Sequence, residues 1–147
     1  MQTNTLGADT TLAVRGTAEP STVARFRVAV SDWVDDVVPA TAERRADILL
    51  ATDEAMSNCA DHAYRGRSDP GSMSVEVTYH DDSARLDVCV TDDGAWVDPA
   101  PQQTNALRGR GIKLMNALAD HVTIDGRGDG TTVCLRFTEC GAGRLAS

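Results

Sequence analysis

Apolar residues recur along the chain with two distinct periods, and the places where one period gives way to the other divide it into elements. Thr10 to Val14, followed by Gly16, predicts a first short strand. From Ser21, read as an N-cap, the positions Val23, Phe26, Val30, Trp33, Val34 and Val37 follow helical spacing until Pro39 stops them. Thr41 opens a second helix with Glu43 and Arg44 in its first turns. Its buried arc is Ile48, Leu49, Thr52, Ala55, Met56, Cys59, Ala60 and Ala63, and it ends near Tyr64. After a loop with Gly66, Pro70 and Gly71, the period becomes two. Met73, Val75, Val77 and Tyr79, then Leu86, Val88 and Val90, form a hairpin across Asp81-Asp82-Ser83.

The alternation breaks at Asp92-Asp93-Gly94. Residues 95–108, with Pro99, Pro101 and the polar run Gln102 to Asn105, are too long for a simple turn and lack an apolar stripe, which marks a functional loop. Gly109, Gly111, Ile112, Leu114, Met115 and Leu118 open a third helix that closes before His121. Val122 to Ile124 and Thr132 to Phe137 supply two last strands around Gly126-Arg127-Gly128. The order β-α-α-β-β-loop-α-β-β, with helices not alternating regularly with strands, predicts an α+β two-layer sandwich. Its sheet is mostly antiparallel, with some mixed pairing allowed, and carries helices on one face. Residues 1–9 are expected to be a flexible N-terminus, 10–138 one domain and 139–147 a tail.

Composition narrows the partners. Fourteen basic and twenty-two acidic side chains leave a net charge of −8, which repels polyanions and argues against nucleic acid. Asp53, Glu54 and Asn58 interrupt the most apolar helical stretch, so no membrane span is expected. The N-terminus lacks the basic start and apolar run of a signal peptide, which points to the cytoplasm. Cys59, Cys89, Cys134 and Cys140 show no CxxC spacing, and three sit in apolar patterns. They read as small buried hydrophobes kept reduced, not as a metal site.

Four local patterns carry chemistry. On the second helix Asp47, Glu54, Asn58, Asp61 and His62 share one arc opposite the apolar arc, which alone describes any solvated helix face. Asp92-Asp93-Gly94 ends a strand with a carboxylate able to accept from an exocyclic amino group and a glycine that lets a flat ligand approach. Alone it also describes an ordinary turn. Arg108-Gly109-Arg110-Gly111-Ile112-Lys113 places two glycines and three cations at a helix start, where free N–H groups suit a phosphate. Gly130-Thr131-Thr132 leads into the final strand and by itself resembles a hairpin turn.

In this order and spacing, the four together resemble the motif boxes of the Bergerat-fold (GHKL, histidine kinase-like) ATPases. That superfamily includes the ATP-binding domains of gyrase, heat-shock chaperones, histidine kinases and mismatch-repair proteins. Glu54-Ala-Met-Ser-Asn58 is similar to the N box, Asp92-Asp-Gly94 to the G1 box, Gly109-Arg-Gly111 to the G2 box and Gly130-Thr131-Thr132 to the last box. The run Ala51 to Tyr64 and the segment Arg108 to Asp120 are most similar to the anti-sigma-factor serine/threonine kinases, and the resemblance covers roughly residues 10–137.

The resemblance implies ATP and Mg²⁺ as ligands. Asn58 would offer its oxygen to Mg²⁺, and Glu54 would act as general base toward a substrate hydroxyl. Asp92 would bond the adenine amino group, with Gly94 and Thr131 at the same end. Gly109, Gly111 and the adjoining Ile112 would border the phosphates, with Arg108, Arg110 and Lys113 as neutralising cations, and residues 95–108 would form a lid. Trp96 departs from the family pattern, which often has a glycine there. The implied partners are a sigma factor and an anti-anti-sigma substrate of the small STAS-type fold, and a homodimer is the implied assembly option. The competing reading is a non-catalytic, nucleotide-sensing module that sequesters a regulatory protein. His80 and His121, at strand ends, read as hydrogen-bonded structural histidines.

Overall fold

The sheet is built by period-two alternation, and its inner face is apolar along every central strand. A computed structural model describes residues 9–64, 71–93, 111–127 and 130–141, without the side chains of 61–64 and 127. Its strands are β1 (Asp9–Thr17), β2 (Ser72–His80), β3 (Arg85–Asp92), β4 (His121–Arg127) and β5 (Gly130–Phe137). They lie in the order β1-β2-β3-β5-β4. Every pairing among them is antiparallel, so the allowance for mixed pairing is not used. Met73, Val75, Val77, Leu86, Val88, Val90, Val133, Leu135 and Phe137 are buried on the inner face, and polar residues alternate outward.

Helices α1 (Pro20–Val37), α2 (Ala42–Tyr64) and α3 (described over 111–118) complete the architecture. Helix α1 starts two residues earlier than the sequence suggests. Glu19 is its N-cap and Pro20 occupies the first helical position, where a missing N–H costs nothing, so Ser21 is not the cap. Thr41 does cap α2, its Oγ1 accepting from the Arg44 N–H at 3.1 Å. Val23, Phe26, Val30 and Val34 of α1 and Ile48, Ala55, Met56 and Cys59 of α2 join the sheet in one core, and Met115 adds α3 to it.

Arg44 fastens the corner where α3 and β5 end. Its guanidinium donates to the Leu118 carbonyl at 3.4 Å, to the Thr138 carbonyl at 3.0 Å and to the Asp120 carboxylate, and it lies 5.4 Å from the Phe137 ring centroid. Asp120 also accepts from the Thr138 N–H at 2.7 Å and hydroxyl at 3.1 Å. On the outer face His80 bridges two carboxylates, Asp9 and Asp87, each at 3.0 Å, in keeping with a structural histidine.

The cysteine reading is corrected for two of four residues. Cys89 and Cys134 are register partners on the outer face and form a disulfide. Their separation of 45 residues hides this, because the pairing of β3 with β5 makes them neighbours. Cys59 and Cys140 are free and buried, as expected. Burial pushes the Cys140 thiol up to about 11.

Two outcomes follow from the Arg44 corner. Arg44→Ala should lower unfolding free energy in urea by about 2 kcal/mol, since it strands three acceptors. Burial pulls the Asp120 carboxyl upward, but the Thr138 N–H, Arg44 and the Thr138 hydroxyl outweigh it and hold the group below its usual value. Its contribution is therefore present above the ordinary carboxylate range and lost as pH falls through the lowered value. Below about pH 4 the native chain should lose stability more steeply than Asp120→Asn, and equal acid slopes would contradict this.

Candidate functional site

Helix α2 presents consecutive residues to two halves of one site. Glu54 and Asn58 stand one turn apart, each half-buried. The start of described α3 comes against them. A Cβ at Gly111 would lie 2.8 Å from Asn58 Nδ2 and 3.3 Å from Glu54 Oε1, so the glycine permits a contact any other residue would crowd. The backbone of α3 at Gly111 therefore lies against a carboxylate and an amide. Ile112 is half-buried against the core, and Lys113 is exposed.

Cys59, one residue on, reaches the other half. Its thiol lies against the Val90 carbonyl at 3.8 Å, and burial, followed by the neighbouring Asp92 carboxylate, raises it well above the usual thiol range. Asp92 ends β3 and pairs in register with Thr131 on β5. Both are buried, at 2% and 4% exposure, on a face where a polar pair interrupts an apolar surface. Thr131 Oγ1 has no hydrogen-bond partner within the described residues, a cost that a bound polar group would relieve. Gly130 makes the approach of the two strands possible, since a Cβ there would fall 2.4 Å from the Asp92 carbonyl oxygen. A cavity of about 380 Å³ at this end of the sheet lies chiefly on the outer face, lined by Arg15, Ser74, Thr91, Asp125 and Thr132, and reaches Asp92, Gly130 and Thr131 at the strand ends.

The structure thus gathers Glu54, Asn58, Gly111 and Ile112 in one place and Asp92 with Thr131 in another, with α2 spanning both. Gly94, Arg108, Gly109, Arg110 and the loop 95–108 lie outside the described residues. Sequence reasoning placed Cys59 in the buried arc, where the structure has it, but did not show its proximity to Asp92. It also gave Asp93 no role. Asp93 accepts from the Ser72 N–H at 2.9 Å and its Oδ2 lies 3.1 Å from the Ser72 hydroxyl, fastening the end of β3 to the start of β2.

A profile of the histidine kinase-like ATPase domain matches residues 16–137. The chain belongs to that family. Among histidine kinase-like ATPase relatives it is 25% identical over 139 residues to an anti-sigma F factor of Clostridium beijerinckii, covering 88% of this chain and 94% of that one. It is 27% identical over 134 residues to the serine-protein kinase RsbW of Bacillus pumilus, covering 82% and 81%. Its fold is similar to a crystal structure of the RsbU and RsbW domains of a Mycobacterium tuberculosis protein, with a TM-score of 0.68 and 22% identity over 88% of this chain and 32% of that one. The histidine kinase domain of a blue-light-activated kinase from Erythrobacter litoralis gives 0.56, at 20% identity over 85% and 62%.

The two close glycines separate by what they meet. Gly130→Ala drives a Cβ into backbone and should cost about 2 kcal/mol of stability, whereas Gly111→Ala meets a side-chain amide that can turn and should cost about half as much. Urea denaturation compares them, and the reverse order would contradict the packing.

Proposed function

We propose that this ATPase-family chain is a Mg-ATP-dependent protein serine/threonine kinase that acts as an anti-sigma factor and phosphorylates an anti-anti-sigma antagonist. The observation that supports this most is the meeting of Glu54 and Asn58 of α2 with Gly111 of α3, on the same helix α2 that reaches Asp92. Nucleotide binding alone has no use for a carboxylate at that point, whereas phosphoryl transfer to a hydroxyl does. The names of the anti-sigma F factor and RsbW relatives favour the same reading.

In this reading the Asp92 carboxylate accepts a hydrogen bond from the adenine amino group, and Thr131 supplies the hydroxyl beside it. Gly94 lets the ring lie close. The N–H groups of Gly109 and Gly111 hold phosphate oxygens, with Arg108, Arg110 and Lys113 lowering the charge. Oxygen donors few in number, beside phosphate, suit Mg²⁺, and the Asn58 side-chain oxygen is the donor this chain offers. The ion would neutralise phosphate charge and fix its geometry. Glu54 takes the proton from the attacking serine or threonine hydroxyl as its oxygen bonds the γ-phosphorus and ADP departs.

The implied partners are a sigma factor, held until an STAS-type antagonist displaces it, and that antagonist as substrate. A homodimer is part of the same proposal, as is a cytoplasmic site of action. No described helix is long and apolar enough to cross a membrane.

Calorimetric titration should show ATP binding that depends on Mg²⁺ and is lost in Asn58→Ala. No binding under any condition would leave an interaction module without nucleotide chemistry. Glu54→Gln should keep ATP affinity and cut phosphate transfer to the antagonist by about 10²-fold or more, and undiminished transfer would remove Glu54 from the mechanism. Asp92→Asn should erase the preference for ATP over GTP, measured by competition.

A further inference from the structure

Strands β3 and β5 are tied on the outer face by three successive rungs. Arg136 Nε donates to Asp87 at 3.0 Å, Cys89 and Cys134 are joined covalently, and the hydroxyls of Thr91 and Thr132 stand 3.3 Å apart. One residue further, on the inner face, is the Asp92–Thr131 pair. The backbone ladder and the two polar rungs hold the register without the covalent bond, so the sheet does not need it in order to stand. The disulfide sulfurs belong to half-buried outward positions, within reach of a small thiol, while Cys59 and Cys140 are buried.

We propose that Cys89 and Cys134 form a reversible thiol–disulfide couple, exchanging with low-molecular-weight thiols and disulfides, whose state sets nucleotide affinity. This rests on the nucleotide reading of the Asp92–Thr131 end. On closure, one cysteine thiolate attacks a sulfur of the small disulfide and displaces one small thiol, giving a mixed disulfide. The second cysteine thiolate then attacks the protein sulfur and displaces the other small thiol. Two protein thiols lose two electrons and two protons, and one small disulfide becomes two small thiols.

The coupling is geometric. A disulfide holds its sulfurs about 2 Å apart. Two thiols need van der Waals separation, so reduction widens the middle rung. The Asp92–Thr131 pair lies three residues along the same backbone ladder, where Gly130 sets an unusually close approach of the strands: a Cβ there would sit 2.4 Å from the Asp92 carbonyl oxygen. A change of spacing at the cysteine rung therefore reaches the Asp92–Thr131 pair, and the oxidised form keeps that pair in its binding arrangement.

The full chain is equilibrated with glutathione at graded ratios of disulfide to thiol, quenched with acid and alkylated, and its cysteine linkage is read by mass spectrometry. Mg-ATP is then titrated into the oxidised chain and into chain reduced with dithiothreitol. The expected result is a Cys89–Cys134 linkage that opens and closes with the ratio, and an ATP Kd weaker by about fivefold or more in the reduced form. A Cys89→Ser, Cys134→Ser double variant should bind like the reduced chain and ignore dithiothreitol. The comparison within the native chain decides the matter should that variant fail to fold. Equal affinities in both states, a pair that never closes, or a redox response that persists in the double variant each overturn the coupling. Absence of ATP binding in both states overturns the nucleotide reading itself, a result distinct from equal measurable affinities.

Discussion

Strands β3 and β5 are separated in the chain by α3 and β4 among the described elements, yet their antiparallel register governs nearly everything that meets at the site end of the sheet. With a side-chain period of two, a slip of one residue would turn Asp92 or Thr131 outward and send a cysteine into the apolar core. Gly130 guards that register sterically, since only a residue without a Cβ can lie so close to the Asp92 carbonyl. The apolar pairs Val90–Val133 and Val88–Leu135 guard it energetically, for a slip would expose them.

Helix α2 then acts as a ruler laid across that end. Its first turn is fixed by the Thr41 cap and by Arg44, which gathers the ends of α3 and β5 around one guanidinium. Its body is fixed by Ile48, Ala55 and Met56 in the core. Fourteen residues beyond Arg44 in this numbering, Asn58 and then Cys59 come out at the two halves of the site with no freedom left to choose which. A rigid helix anchored far from the chemistry is how a small domain holds a carboxylate and an amide in place.

Much of this was legible in the residue pattern, for reasons of periodicity. The order of elements, the inner faces of β2, β3 and β5 and the buried arc of α2 follow from runs long enough to separate a period of two from one of 3.6. So does the meeting of Glu54 with Asn58, which share an arc of one helix. What the pattern hides depends on pairing between distant segments. The Cys89–Cys134 bond exists only because β5 lies beside β3, and Arg44 has three acceptors that no local reading connects. Cys59 hides for another reason: a small buried thiol fits an apolar stripe equally well whether its neighbour is a valine or an aspartate. The start of α1 shifted because Pro20 is better suited to a first helical position than Ser21 is to a cap.

The position of β5 has a temporal meaning as well as a spatial one. The strand order β1-β2-β3-β5-β4 places the last strand of the chain inside the sheet and an earlier one at its edge. During synthesis β1, β2 and β3 can pair as they emerge, but β3 keeps an open edge until residues near 137 are available to fill it. The hairpin of β4 and β5 must therefore dock as a late unit against a waiting template, a non-local step of the kind that slows folding. Until it does, a nascent chain carries Asp92 without Thr131, and the exposed edge of β3 is the surface that a chaperone would have reason to cover.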